Sequence, residues 1–321
     1  ATRSLFVGHR DGVFEVAQND VDRRDHLGEF RDHLFQLGRK EVDDAARPER
    51  DLTQGLGGTD GEGLEEVFCT AHASKRRASG FGPRNPPARL HDVAPRFDAV
   101  LFDAGGVLVL PDPKVLAPLI AYYGGDDRHE AYVRAHYAGM AAKSAVTAGE
   151  SDWSHYNETY LAHLSVPEEH REAALEVLTH VKGNARLWRH PIPGSAETLR
   201  ELASRGVPIG IVSNASGQIE STLRVSGICQ VGPGPLASVR CVVDSHVVGV
   251  EKPDPRIFDH ALAHFAGIER SRIAYVGDSL IMDVRGSRAA GLHPVLVDPY
   301  DDAAGHDVDR ITSLDELLSL V

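Results

Sequence analysis

No apolar run in this 321-residue chain reaches the roughly 18 residues that a membrane-crossing helix needs, and the N-terminus lacks the apolar centre of a signal peptide. Cysteine is scarce. Cys69, Cys229 and Cys241 are odd in number, far apart and without metal-ligand spacing, which speaks against a disulfide framework or a zinc site. Ordinary buried or surface thiols and a reducing cytoplasm are the expectation. Positive charge is also in deficit: 34 Lys and Arg against 47 Asp and Glu leave a formal net charge of −13, which argues against a nucleic-acid partner. What the chain does have is a 42% hydrophobic content, enough for a substantial core in one large or two ordinary domains. It begins with Ala1 rather than Met, so a truncated chain and a misassigned start both stay open.

Residues 1–95 differ from the rest. Roughly a third of them are charged, and no helical or alternating period persists. Asp20-Val21-Asp22-Arg23-Arg24-Asp25 alternates charge without an apolar face. The stretches Gly55 to Gly63 and Ala78 to Pro87 have linker composition. Disorder or loose helices are expected here, with a short helix over Phe30 to Leu37, and either a regulatory arm or a plain extension is compatible.

From residue 97 the organisation sharpens. The run Phe97-Asp98-Ala99-Val100-Leu101-Phe102 stops at Asp103, followed by Ala104-Gly105-Gly106. An apolar run closed by glycine reads as a buried strand ending at a turn, which puts Asp103 at the strand's carboxyl end, where open α/β sheets bind ligands. Three later segments repeat the arrangement: Ile209 to Ser213-Asn214, Val250-Glu251-Lys252-Pro253, and Ile273 to Val276-Gly277-Asp278-Ser279. Between Pro111 and His190 the pattern is helical over Lys114 to Tyr123, His129 to Ala142, Trp153 to Leu164 and Glu168 to Val181. Further helices are expected over Ser195 to Arg205, stopped by Gly206, then over Pro255 to Ala266, Met282 to Ala290 and Ser313 to Leu320. Strands at Cys241 to Asp244 and Pro294 to Val297 complete an alternating α/β pattern, which predicts a Rossmann-like, doubly wound parallel sheet covered on both faces.

The four motifs, in this order and at these separations, resemble the haloacid dehalogenase-like hydrolase superfamily over roughly residues 96–321. The resemblance implies an α/β core over 96–110 and 191–321, an inserted helical-bundle cap over 111–190, and an uninvolved extension over 1–95. It implies that Asp103 attacks phosphorus, forming and then hydrolysing an aspartyl-phosphate. Mg²⁺ would be held by Asp103, the carbonyl of Gly105, and Asp278, with Asp283 holding a metal-bound water or orienting Lys252. Ser213 and the amides near Gly105, Gly106 and Asn214 would bind the phosphoryl oxygens, and Lys252 would offset developing charge. The substrate would be a small phosphate ester. Taken singly, each residue has a plainer reading: Asp103 and Ser213-Asn214 as turn or N-cap formers, Lys252 as a solvated lysine, Asp278 and Asp283 as turn and helix-surface acids.

One position departs from the superfamily pattern. Its phosphatases carry a second aspartate two residues after the nucleophile, as acid and base; here that position is Gly105. A missing acid-base group costs about 10²–10⁴-fold, least for leaving groups that need no proton. Candidates for a substitute are His136, Lys143, His155, Tyr156 and Arg189. Hydrolytic 2-haloacid dehalogenation also uses an aspartate nucleophile, but those enzymes resemble one another in an aromatic residue at this position and in needing no metal. Phosphonate cleavage through a Schiff-base lysine, here Lys143, and a non-catalytic binding protein are the remaining alternatives.

Overall fold

A computed structural model of the chain describes residues 6–10, 13–17, 95–145 and 152–321. The chain divides into two units, residues 1–83 and 84–321. In the first, strands β1 (Phe6–Arg10) and β2 (Val13–Ala17) pair antiparallel with Arg10 opposite Val13. Strands were not anticipated over these residues. The helix expected over Phe30 to Leu37 and Cys69 lie outside the described residues.

The second unit is organised by a six-stranded sheet. Its strands are β3 (Ala99–Phe102), β6 (Ile209–Ser213), β9 (Val242–Asp244), β10 (Ile273–Gly277), β11 (His293–Val297) and β12 (Asp309–Ile311), in the order β12-β11-β10-β3-β6-β9 and parallel throughout. The four central strands are rich in β-branched residues and, apart from His293 at the start of β11, buried, as strands covered on both faces must be. Val100, Phe102, Ile209, Ile211 and Val276 pack on one face with Leu199 and Leu202 of the helix Ser195–Ser204. Leu101, Val212 and Tyr275 pack on the other with Ile257, Phe258 and Ala261 of the helix Arg256–Leu262. The chain builds β3, β6 and β9 outward in one direction, then returns to build β10, β11 and β12 in the other. The strand order thus reverses between β3 and β10, and that switch point opens a crevice at the carboxyl ends.

Four helices, Pro113–Tyr122, His129–Ala145, Ser154–His163 and Glu168–Lys182, follow β3 and share one apolar cluster built on Leu116, Ile120, Tyr156, Tyr160, Leu161 and Leu178. Gly139 lets two of them approach: a Cβ there would lie 2.8 Å from the Tyr156 ring. A two-stranded antiparallel ribbon, β4 (Val109–Pro111) with β5 (Trp188–Pro191), joins the chain entering this bundle to the chain leaving it. The expected junctions at 111 and 190 fall inside these strands, which were too short and too proline-rich to register as strands in the sequence. The helix His129–Ala145 ties the bundle to the sheet domain: Tyr137 Oη donates to the Gly106 carbonyl at 2.8 Å, and Arg134 makes a bidentate pair with Asp302 at 2.6 and 2.9 Å.

Other expected elements shift in kind. The helix expected over Met282 to Ala290 starts earlier, as a π-helical turn over Leu280–Arg285 that runs into a short α-helix, Gly286–Ala289. Ser279 starts it, its hydroxyl accepting from Met282 N at 3.1 Å. Ser313 to Leu320 forms a 3₁₀ segment, Leu314–Ser319. The helix Ile219–Val225, the ribbon β7 (Cys229–Val231) with β8 (Ala237–Val239), and the edge strand β12 were not anticipated. Cys229 and Cys241 are free and buried, and burial pushes their thiols up to about 12 and about 11, which suits packing groups rather than nucleophiles. Among the described residues no helix is long and apolar enough to cross a membrane.

Candidate active site

The crevice between β3 and β10 collects the predicted residues. β3 delivers Asp103, whose amide donates to Val276 O of β10 at 2.8 Å and so fixes the backbone where the side chain emerges. Asp103 Oδ1 accepts from the Ala104 amide at 2.7 Å and Oδ2 lies 2.9 Å from Lys252 Nζ. β10 delivers Asp278, and the π-helical turn brings Asp283 back beneath it. Asp283 Oδ2 accepts from the amides of Asp278 and Ser279 at 3.1 and 2.9 Å, while Oδ1 accepts from Lys252 Nζ at 2.7 Å. The π-helical turn has a local cause in these bonds: the carboxylate takes amides near the turn's start that have no partner of their own.

Lys252 is held from its backbone outward. The Asn214 side chain, just past β6, accepts from Lys252 N at 2.7 Å and donates to Lys252 O at 3.0 Å. The ammonium then meets Asp103, Asp283 and the Tyr275 hydroxyl at 2.9 Å, with the lysine only 1% exposed. Tyr275 Oη donates onward to Val212 O at 3.0 Å. This tyrosine was not singled out in the sequence, although a phenol inside an apolar strand has to place its hydroxyl on a partner.

Oxygens of Asp103, Asp278 and Asp283 lie within 4.8 Å of one another, all three residues buried. Burial, opposed by Lys252 and reinforced by Asp283 and Asp278, pushes the Asp103 carboxyl up to about 7. Burial, and then Asp283, raises Asp278 well above the carboxylate range. Burial works against the charge of Lys252, yet Asp103 and Asp283 outweigh it and hold its pKa above the ordinary value. Three carboxylates against one ammonium leave an excess of two negative charges when all are ionised. Hard oxygen donors with that excess suit a divalent cation such as Mg²⁺.

A cavity of about 430 Å³ opens over these groups, with Asp103, Gly105, Ser213, Asn214, Lys252 and Asp278 in its wall. Two expected residues serve the site differently. Gly106, expected to offer its amide to a phosphoryl group, donates it instead to Val109 O at 2.9 Å. Its importance is room: φ is +71°, and a Cβ would sit 1.8 Å from Asp278 Oδ2 and 2.6 Å from His136 Nε2. Gly106→Ala should therefore destabilise the fold by about 1–3 kcal/mol and displace Asp278, read as a lower unfolding midpoint together with weaker metal binding by calorimetry. Asp283 has both oxygens engaged, so the arrangement suits it to orienting Lys252 more than to ligating a metal.

The candidate acid-base substitutes are placed as follows. His136 reaches the cavity wall from the bundle, with Nε2 2.8 Å from Asp278 Oδ2 and Nδ1 2.8 Å from Tyr156 Oη. Burial, helped by Lys182, holds its pKa down at about 3, so the ring is neutral. Tyr156 is buried against that histidine, Arg189 pairs with Asp112 at 3.0 Å, the Lys143 ammonium lies over the Trp153 ring at 3.5 Å, and His155 is exposed. Each is either engaged elsewhere or away from Asp103. The sequence reading stopped the fourth bundle helix at Val181 and so overlooked Lys182, which also lines the cavity.

Comparison with known proteins agrees with the geometry. The chain is 36% identical over 133 residues to haloacid dehalogenase-like hydrolase domain-containing protein 3 of Bos taurus, covering 40% of this chain and 50% of that protein. It is 35% identical over 134 residues to a phosphoserine phosphatase of Thermus thermophilus, covering 40% and 51%. It is 32% identical over 164 residues to a glyceraldehyde 3-phosphate phosphatase of Methanopyrus kandleri, covering 48% and 66%. The chain spans about half the length of the first two relatives. A family model for haloacid dehalogenase-like hydrolases matches residues 97–291, from the strand that carries Asp103 to beyond the turn that carries Asp283. The chain belongs to the haloacid dehalogenase-like hydrolases.

Proposed function

We propose that this chain is a Mg²⁺-dependent phosphatase of small phosphorylated metabolites, working through an aspartyl-phosphate on Asp103. The observation that carries the reading is the buried carboxylate of Asp103 held by Lys252 beside two further acids at the strand-order switch point. Asp103, Asp278 and the Gly105 carbonyl would hold the cation, which when bound neutralises the meeting of a carboxylate with an anionic phosphoryl group. Asp103 attacks phosphorus, the P–O ester bond breaks, and the leaving alkoxide takes its proton from water, since Gly105 offers no side chain. Water then attacks the acyl phosphate, releasing inorganic phosphate and restoring the carboxylate. Lys252, fixed by Asp283 and Tyr275, supplies positive charge to the phosphoryl oxygens, and the Ser213 hydroxyl donates to them. The resemblance to phosphatases of other organisms supports the substrate class. Gly105 together with Asp278 and Asp283 fits a cation-dependent phosphoryl site better than a metal-free dehalogenase.

The test is hydrolysis of p-nitrophenyl phosphate, whose leaving group needs little protonation. Turnover is expected with Mg²⁺ and not with EDTA, and alkyl phosphates should react about 10²–10⁴-fold more slowly. Undiminished turnover in EDTA, or none with Mg²⁺ bound, would overturn the reading.

A further inference from the structure

The helical side of the cavity holds a lysine that has no carboxylate partner among the described residues. Lys182, the last residue of the helix Glu168–Lys182, places its Nζ 3.4 Å from the centre of the Tyr156 ring, with the rings of Tyr160, Trp153 and Trp188 at 5.1, 5.5 and 5.9 Å. Its hydrogen bond is long, 3.4 Å to Asn157 Oδ1. No carboxylate of the described residues lies within ion-pair distance of it, whereas Lys252, the other lysine on the cavity, sits between Asp103 and Asp283. The Lys143 ammonium over the same Trp153 ring adds positive charge nearby. Burial, and then Lys143, pushes the Lys182 pKa well below the lysine range. As packing alone this is a poor use of a lysine, because a methionine would fill an aromatic cage without desolvating a charge. An anionic ligand entering the cavity would supply the missing counter-charge.

We infer that Lys182 is a specificity-determining residue that binds a carboxylate carried by the phosphate ester itself, so that the preferred substrates are small phosphorylated acids. The inference rests on the phosphatase reading for what occupies the Asp103 end. A carboxylate fits better than a second phosphate. One ammonium balances one negative charge, whereas a phosphate dianion needs several donors, and no arginine of the described residues lines the cavity. The surrounding rings exclude water from the pair and strengthen it.

The experiment compares 3-phosphoglycerate with glycerol 3-phosphate, which differ in a carboxylate against a hydroxymethyl group, on the full chain and on Lys182→Met and Lys182→Arg. The readout is the ratio of kcat/KM between the two esters within each protein, which a general loss of activity does not move. The parent protein is expected to favour the acid by about 10- to 100-fold. The ratio should fall towards one in Lys182→Met and persist in Lys182→Arg. A parallel arm uses no turnover. Trp153 and Trp188 are the two tryptophans of the chain and both lie at Lys182, so their fluorescence in Asp103→Asn protein reports binding of the same two esters, with and without Lys182→Met. If no ester is hydrolysed, the phosphatase reading fails and the binding arm still decides the role of Lys182. Equal affinity for the two esters in the Lys182 protein, or a preference for the acid that survives in Lys182→Met, would overturn the inference.

Discussion

Asp103→Asn should abolish hydrolysis of p-nitrophenyl phosphate, lowering kcat by at least about 10⁴-fold with the fold intact. The expectation rests on the two roles the carboxylate combines. Its charge is the nucleophile, and its second oxygen is a proposed cation ligand, so an amide loses attack and part of the metal site together. The fold should tolerate the change well. Asparagine has the same shape, its Oδ1 can still accept from the Ala104 amide, and Lys252 keeps Asp283 as partner. Removing one of three crowded buried carboxylates also removes repulsion. Steady-state kinetics beside a melting curve separates the two effects, and residual turnover within tenfold of the parent would exclude Asp103 as nucleophile.

Lys252→Met should be costly in the opposite sense, with stability as the main casualty. It strips the ammonium from between Asp103 and Asp283 and leaves buried carboxylates without their counter-charge, which costs about 3–5 kcal/mol where one partner of a buried pair is removed. Activity should fall as well, by about 10²–10³-fold. The penalty carries a pH signature in metal-free protein. Asp103 titrates in the folded state at about 7 against an ordinary 3.8, so the folded chain binds a proton that the unfolded chain has released. Its contribution to stability is fullest below the ordinary value and is lost as pH rises through about 7. Without Lys252, which opposes the upward shift, the loss extends to higher pH. Urea unfolding from about pH 6 to about pH 9 should show the variant still declining above pH 7, where the contribution of Asp103 in the parent levels off.

The sheet and its site were legible in the sequence for one physical reason. A strand buried on both faces is an apolar run, and a carboxylate, hydroxyl or glycine at its end is conspicuous against it. Asp103, Ser213 and Asp278 all announced themselves this way. Lys252 sits in a loop and was found through the spacing of the motifs. What the sequence hid falls into two kinds. The ribbon β4–β5 and the edge strand β12 are three or four residues long, and their pairing is decided by partners far along the chain. The π-helical turn is set by where the Asp283 carboxylate finds amides four and five residues earlier, a contact that no apolar period in the sequence marks. Lys182 lay one residue beyond the expected end of its helix, and only the packing of the bundle turns it, like the candidate His136, towards the cavity. The charged composition of the first 95 residues concealed the pairing of Phe6–Arg10 with Val13–Ala17, because composition averages over short strand-forming stretches.

The strand order carries a consequence for how the chain is made. β3 lies in the interior of the sheet, yet both of its neighbours come later in the chain, and the second, β10, begins about 170 residues after β3 ends. During synthesis at 5–20 residues per second, one edge of β3 would wait on the order of 10 to 30 s for its partner. Until then it presents an apolar strand with unpaired amides and carbonyls, the surface most prone to pair with another chain. Expression yield of this protein should accordingly depend on chaperone supply and on translation speed through the residues between β3 and β10, even under conditions in which the finished fold is stable.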